Sequence, residues 1–134
     1  MLCLAICIGT AVHLSAQSQA DTTIHVQKEE DFYTIQTVPI PEGVLLEVGG
    51  MTFLPDDALA VSTRRGEVWI ITNPYMKNGA TPHYRLFAQG MHEVLGLNYI
   101  NGDIYAVQRS ELTRLRDLDG DGEADEYETV YSWP

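Results

Sequence analysis

The stretch GMTFLPDDALAVSTRRGEVWIIT, residues 50–72, reads as three short strands separated by two turns. Strand-forming residues fill Met51–Leu54, Ala58–Thr63 and Glu67–Thr72, with Asp56-Asp57 and Arg65-Gly66 as the turn residues between them. A loop rich in Asn, Pro and Gly, NPYMKNGATPH at 73–83, then leads to a fourth strand, YRLFA at 84–88. The order recurs downstream. GLNYINGDIYAVQRSELTRLRD, 96–117, lays Gly96 on Gly50, Tyr99 on Phe53, Ile104 on Leu59, Arg109 on Arg64 and Leu112 on Val68, and ETVYS at 128–132 lies on YRLFA. Four strands repeating at about 45 residues is the period of β-propeller blades. The predicted fold is all-β, a partial β-propeller of about two blades, 50–90 and 94–134. Two unrelated β-meanders in a sandwich are the alternative, but the matched turns and paired arginines favour the repeat. A propeller takes about four to eight blades, because an open arc leaves an edge at each end. The chain is therefore expected to be the N-terminal piece of a longer protein, a third blade starting near Trp133-Pro134.

The residues ahead of the repeat divide in two. MLCLAICIGTAVHL, 1–14, is an apolar run of signal-peptide length, and SAQSQA, 15–20, ends in the small-x-small pattern Ser18-Gln19-Ala20. A signal peptide over 1–20, cleaved before Asp21, is predicted. No Lys or Arg precedes the run, so either the true start lies upstream or the sequence is a fragment. A transmembrane anchor is the competing reading, but a span needs about 20 apolar residues, so no membrane span is expected. Both cysteines, Cys3 and Cys7, fall in this leader, which leaves the mature chain no disulfide, thiolate metal site or cysteine nucleophile. Between 21 and 49, FYTIQTVPI (32–40) and VLLEV (44–48) read as lead-in strands broken by Pro39, Pro41 and Gly43.

With 19 acidic against 8 basic side chains the formal net charge is −11. That excludes a nucleic-acid partner, whose phosphates need clustered Lys and Arg. It also disfavours docking on anionic lipid. Much of the acidity lies in RDLDGDGEADEYE, 116–128. Asp117, Asp119, Asp121, Gly122, Glu123, Asp125 and Glu128 fill the twelve-position calcium loop D-x-D-x-D-G-x-x-D-x-x-E. Ca²⁺ takes six to eight oxygens. Asp117, Asp119 and Asp121 would give carboxylates, Glu123 its backbone carbonyl, Asp125 a direct or water-bridged contact and Glu128 a bidentate carboxylate. Strands rather than helices flank the loop, so it is not an EF-hand; a solvated acidic turn is the plain alternative.

Strand parity places these groups. Successive strands alternate in direction, so the turns carrying Arg64, Arg65 and Arg109 share one face with the connection QGMHEVLG, 89–96, which holds His92 and Glu93. The acidic loop belongs to the opposite face. The predicted calcium is therefore a structural clip on a long connection rather than a catalytic ion.

GMTFLPDDALAVSTRRGEVWII, HEVLGLNYINGDIYAVQRSELTRLRDLDGDGEADEYETVY and the closing SWP resemble the start of glucose/sorbosone-dehydrogenase-like β-propeller proteins, over nearly all of the mature chain. The resemblance implies an exported, periplasmic or extracellular, PQQ-dependent or PQQ-dehydrogenase-like protein. Long versions add helical-repeat and cytochrome-c-type haem domains after the propeller. It implies a histidine acting as base on a sugar or alcohol hydroxyl, for which His92 is the candidate. It also implies arginines holding the cofactor's carboxylates, for which Arg64 and Arg109 are candidates, with a cytochrome c domain as electron acceptor. The 117–128 loop is not that family's cofactor-binding calcium site. No C-x-x-C-H is present, so a haem domain would lie beyond Pro134. Plainer roles exist for each candidate: His92 as a loop residue holding the next blade's start, and Arg64 and Arg109 paired with Glu67 and Glu111 across their hairpins. His25 and His83 have no constellation around them. Two functions are thus in play: a quinoprotein-type oxidoreductase acting on a sugar or alcohol, and a non-catalytic calcium-stabilised propeller binding glycan or protein.

Overall fold

Residues 26–134 are described by a computed structural model. The predicted leader 1–20, its cleavage point, both cysteines and His25 lie outside the described residues. The chain divides after Thr34. In the first unit, Val26–Thr34 is exposed and holds a 3-10 turn, Glu29–Asp31, whose entry is capped by the Lys28 N–H donating to Asp31 Oδ2 at 2.9 Å. Among the described residues no helix is long and apolar enough to cross a membrane.

The second unit, Ile35–Pro134, is all-β. Its first sheet runs β1 (Val48–Phe53), β2 (Leu59–Thr63), β3 (Val68–Thr72) and β4 (His83–Ala88), each antiparallel to the next. The second repeats this with β5 (Gly96–Ile100), β6 (Asp103–Val107), β7 (Glu111–Arg116) and β8 (Glu126–Ser132). The turns follow from their residues. Asn101 and Gly102 both have positive φ, 54° and 104°, the mirror-image turn that suits a two-residue hairpin. The correspondence between the sheets extends to their irregularities. The register breaks between Val68 and Trp69 in one and between Leu112 and Thr113 in the other, at positions the sequence repeat had matched.

The lead-in strands expected over 32–40 and 44–48 do not form as separate elements: among the described residues no strand precedes β1, which takes in only Val48 of them. The β propensity of this segment finds no ladder. Pro39 and Pro41 lack the N–H a strand must donate, Val44 N–H turns back to Pro41 C=O at 3.2 Å, and Ile35 is 95% exposed.

The core lies between the two sheets. Ala60, Val68 and Ile70 from the first meet Ile104, Ala106 and Leu115 from the second, with Leu97 and Tyr99 of β5 packed against them. Burial of Val68, Ile70, Ile104 and Leu115 contributes about 1.5–3 kcal/mol each. The edge strands β1 and β5 come so close that glycine is required. A Cβ on Gly50 would sit 2.7 Å from Gly96 Cα and 2.9 Å from Leu97 N. Ser62, fully buried on β2, ties the seam: its hydroxyl lies 3.2 Å from Val94 C=O and 3.3 Å from Gly50 C=O. Ser62→Ala is expected to cost about 1 kcal/mol, read as a lowered urea midpoint at unchanged slope.

Candidate functional site

The β2–β3 turn, the β6–β7 turn and the β4–β5 connection meet at one end of the sheets. Met91 N–H donates to Gly66 C=O at 3.1 Å, His92 N–H to Gln108 Oε1 at 2.6 Å, and Arg109 N–H to His92 C=O at 3.2 Å. Beneath each turn a glutamate organises polar side chains in the same way. Glu67 accepts Trp69 Nε1–H at 3.0 Å and lies 3.5 Å from the Thr63 hydroxyl. Glu111 accepts Gln108 Nε2–H at 3.1 Å and the Thr113 hydroxyl at 2.7 Å. These glutamates are therefore engaged by their own hairpins and do not pair with Arg64 and Arg109, as their spacing had suggested.

Both arginines turn instead to Glu93. Arg109 donates from Nε to Glu93 Oε2 at 3.0 Å and from Nη2 to the same oxygen, while Arg64 Nη2 lies 3.8 Å from Oε1. Glu93 has φ 41°, a left-handed backbone that a side chain disfavours. Arg64, Met91, His92, Glu93 and Arg109 together line one open hollow. The three residues singled out from sequence, His92, Arg64 and Arg109, thus share a site. Glu93 joins the two arginines, a role that nothing in its sequence position marks. The His92 imidazole makes no hydrogen bond among the described residues; its backbone does the holding.

Guanidinium forks match carboxylates in shape and charge, so this end can accept an anion. Glu93 occupies that position. The arginine side chains are 62% and 71% exposed, and exposed pairs contribute about 0–1 kcal/mol. Glu93→Gln is therefore expected to change stability by less than about 1 kcal/mol. The same variant should bind oxalate more tightly than wild type by titration calorimetry; equal or weaker binding would contradict this account.

The acidic loop closes the opposite connection, β7 to β8. It is wound by its own carboxylates. Asp117 accepts Gly120 N–H at 2.7 Å and Gly122 N–H at 2.9 Å, Asp119 accepts Asp121 N–H at 3.1 Å, Asp121 accepts Glu123 N–H at 2.8 Å, and Asp125 accepts Leu118 N–H at 2.7 Å. One oxygen each from Asp117, Asp119 and Asp125 come within 4.8 Å of one another, a spacing a cation could bridge. The carboxylates of Asp121 and Glu128 are not brought into that group; the contact expected of Glu123 is through its backbone carbonyl. Glu128 lies in β8 opposite Arg114, pairs with it, and sits 3.4 Å from Arg116 Nη2. Arg114 also faces Asp103, and Arg116 pairs with Glu126. The hydrogen bond to Glu128, then that to Tyr105, holds the Arg114 pKa above its ordinary value.

The loop also reaches the first sheet. Ala124 N–H donates to Phe87 C=O at 2.7 Å, and Gln89 N–H donates to the Tyr127 hydroxyl at 3.1 Å. Gly122, at φ 93°, lies directly under the Arg85 guanidinium of β4. The loop therefore ties the two sheets together at β4, as the close approach of β1 and β5 does at their other edge. Arg85 carried no signal in the sequence, because its contact crosses from one repeat to the next. No protein-family model, curated protein or solved structure matches the chain.

Proposed function

We propose that the two sheets are consecutive blades of an exported β-propeller of the quinoprotein type, related to PQQ-dependent sugar or alcohol dehydrogenases. The observation that carries this reading is the convergence of Arg64, His92 and Arg109 on one hollow at the end of the sheets opposite the acidic loop. The donor set suits the group: two guanidiniums can fork onto the carboxylates of a quinone cofactor once Glu93 is displaced. PQQ, when bound, supplies an electrophilic carbonyl that accepts hydride. The chain's own part would be to hold the carboxylates through Arg64 and Arg109 and to take the alcohol proton on the His92 imidazole. The long connection to β8 would be ordered by Ca²⁺ held by Asp117, Asp119 and Asp125, with water or backbone oxygens completing the shell.

The test is dye reduction with a simple sugar or alcohol by the complete PQQ-reconstituted protein, compared with His92→Ala and Arg109→Ala. Loss of a general base costs about 10²–10⁴-fold in rate, and the arginine variant should lose cofactor affinity first. Absence of PQQ binding would end the enzymatic reading. A second reading, a non-catalytic calcium-stabilised propeller for glycan or protein, draws on one observation: His92 is anchored only through its backbone, as a purely structural loop residue would be.

A further inference from the structure

The Gln108 side chain is buried, 8% exposed, beneath the arginine end of the sheets, and every part of its amide is used. Oε1 accepts the His92 N–H at 2.6 Å, while Nε2 donates to Glu111 Oε1 at 3.1 Å and to the Thr113 hydroxyl at 2.6 Å. The partners fix the orientation of the amide, since a backbone N–H only donates and a carboxylate only accepts. Glu111 is held in turn by the hydroxyls of Thr113, at 2.7 Å, and Thr129, at 3.0 Å. In the first sheet the matching position is Thr63, whose hydroxyl bonds to Glu67 within its own hairpin. Gln108 instead reaches out of its hairpin to the β4–β5 connection.

That reach ends one residue before a strained one. Glu93 has φ 41°, which a side chain disfavours, so its conformation must be imposed by what surrounds it. His92 is gripped at both backbone groups, its N–H by Gln108 and its C=O by the Arg109 N–H at 3.2 Å. With His92 fixed, the Glu93 carboxylate points at the arginines, 3.0 Å from Arg109 Nε and 3.8 Å from Arg64 Nη2. A carboxylate tethered there competes with any anion that comes to the pair, and it competes better the more firmly it is presented.

We propose that Gln108 is a positioning residue: its amide presents Glu93 to Arg64 and Arg109 as an internal competitor, and so sets how tightly the pair takes an external carboxylate. The proposal rests on reading the two arginines as an anion site and goes beyond it in naming the buried group that regulates that site.

Oxalate titrated by calorimetry into the purified chain, well below each protein's melting temperature, tests this. Gln108→Leu removes all three side-chain bonds. It should release Glu93 and tighten oxalate binding by about two- to fivefold, the range open to an exposed ion pair once it is removed. Gln108→Asn, one methylene shorter, keeps an amide for Glu111 and Thr113 but falls short of His92, and should tighten binding likewise with a smaller loss of melting temperature. The exchange Gln108→Glu with Glu111→Gln keeps an acceptor for His92 and a donor between the two side chains, and should return the affinity to the wild-type value. In a Glu93→Gln background Gln108→Leu should add nothing, because the competitor is already gone. A merely structural role would shift affinity equally in both backgrounds, and that result overturns the proposal. Unchanged or weaker binding by both single Gln108 variants also overturns it; if Glu93→Gln still tightens binding, the anion pair stands without its regulator. If neither wild type nor Glu93→Gln binds oxalate, the anion reading itself fails and the proposal falls with it.

Discussion

Gly50→Val is expected to destabilise the second unit by about 3 kcal/mol or more, at the upper end of what overpacking costs. Two effects oppose each other at this position. Valine favours a strand over glycine by up to about 1 kcal/mol. Against that, its Cβ would stand 2.7 Å from Gly96 Cα, 2.9 Å from Leu97 N and 3.0 Å from Gly96 C. All three are backbone atoms of β5, so no rotamer change relieves the contact. Either β5 moves off β1, opening the core around Ala60, Ile104 and Ala106, or the sheets separate. The steric term wins, and the melting temperature should fall by about 10–20 °C. Gly96→Val supplies the control, since the same chemical change on the facing strand meets only the Val107 side chain at 3.7 Å. A Gly50→Val protein that melts with wild type would mean that the sheets do not meet through β1 and β5.

That contrast marks the limit of what the sequence discloses. The strands of both sheets were legible because their signals are local: strand-forming runs in each, and residues such as Asp57, Gly66 and Asn101-Gly102 that accept the positive φ of their turns. The same signals misled over FYTIQTVPI. Propensity describes a residue's fit to a sheet already present, and these residues have no ladder to join. The pairing of one sheet with the other was not readable either. Gly50 and Gly96 stand out as matched glycines, but only the structure shows that the first is pressed against the next sheet while the second is open.

The candidate sites divide similarly. Strand parity alone placed Arg64, His92 and Arg109 at one end, because parity depends only on counting antiparallel strands. Which carboxylate they would meet depended on loop conformation. Glu67 and Glu111 were nearer in sequence, yet hydrogen bonds within their own hairpins occupy them, and Glu93 reaches across instead. At the acidic loop the motif located the cluster but not its membership. Glu128 fills the twelfth position in sequence, but β8 begins at Glu126, so Glu128 is already in the ladder opposite Arg114. In a helix-flanked loop the same residue would curl back toward the ion; an extended strand carries it away from the cluster.

Addition of calcium is expected to raise the melting temperature, and the loop's geometry fixes which variants should abolish the effect. A site assembled from three solvent-facing carboxylates falls in the weak range of oxygen-ligated calcium sites, about 10⁻⁴–10⁻³ M. At about 10 mM Ca²⁺ the stabilisation is then about 1.4–2.7 kcal/mol, since binding to the folded state alone contributes RT ln(1 + [L]/Kd). The gain should appear in the whole second unit rather than in the loop alone, because Ala124 bonds to Phe87 and Gly122 packs under Arg85 in the other sheet. Magnesium should give a smaller rise, as it holds its water more firmly and demands stricter octahedral geometry. Asp119→Asn keeps an oxygen to accept the Asp121 N–H but removes the charge at the third position, so the calcium response should vanish while the baseline moves little. Glu128→Gln should do the reverse. It loosens the charged pairing with Arg114 and Arg116 and lowers the baseline, yet the response to calcium should persist, because the grouped oxygens proposed to hold the ion belong to Asp117, Asp119 and Asp125. If Glu128→Gln abolishes the response instead, calcium must draw Glu128 out of the β7–β8 ladder, and the bidentate ligand expected from the motif takes its place after all. If wild type itself melts at the same temperature with and without calcium, the loop is an acidic turn held by its own hydrogen bonds and the structural-ion proposal is lost.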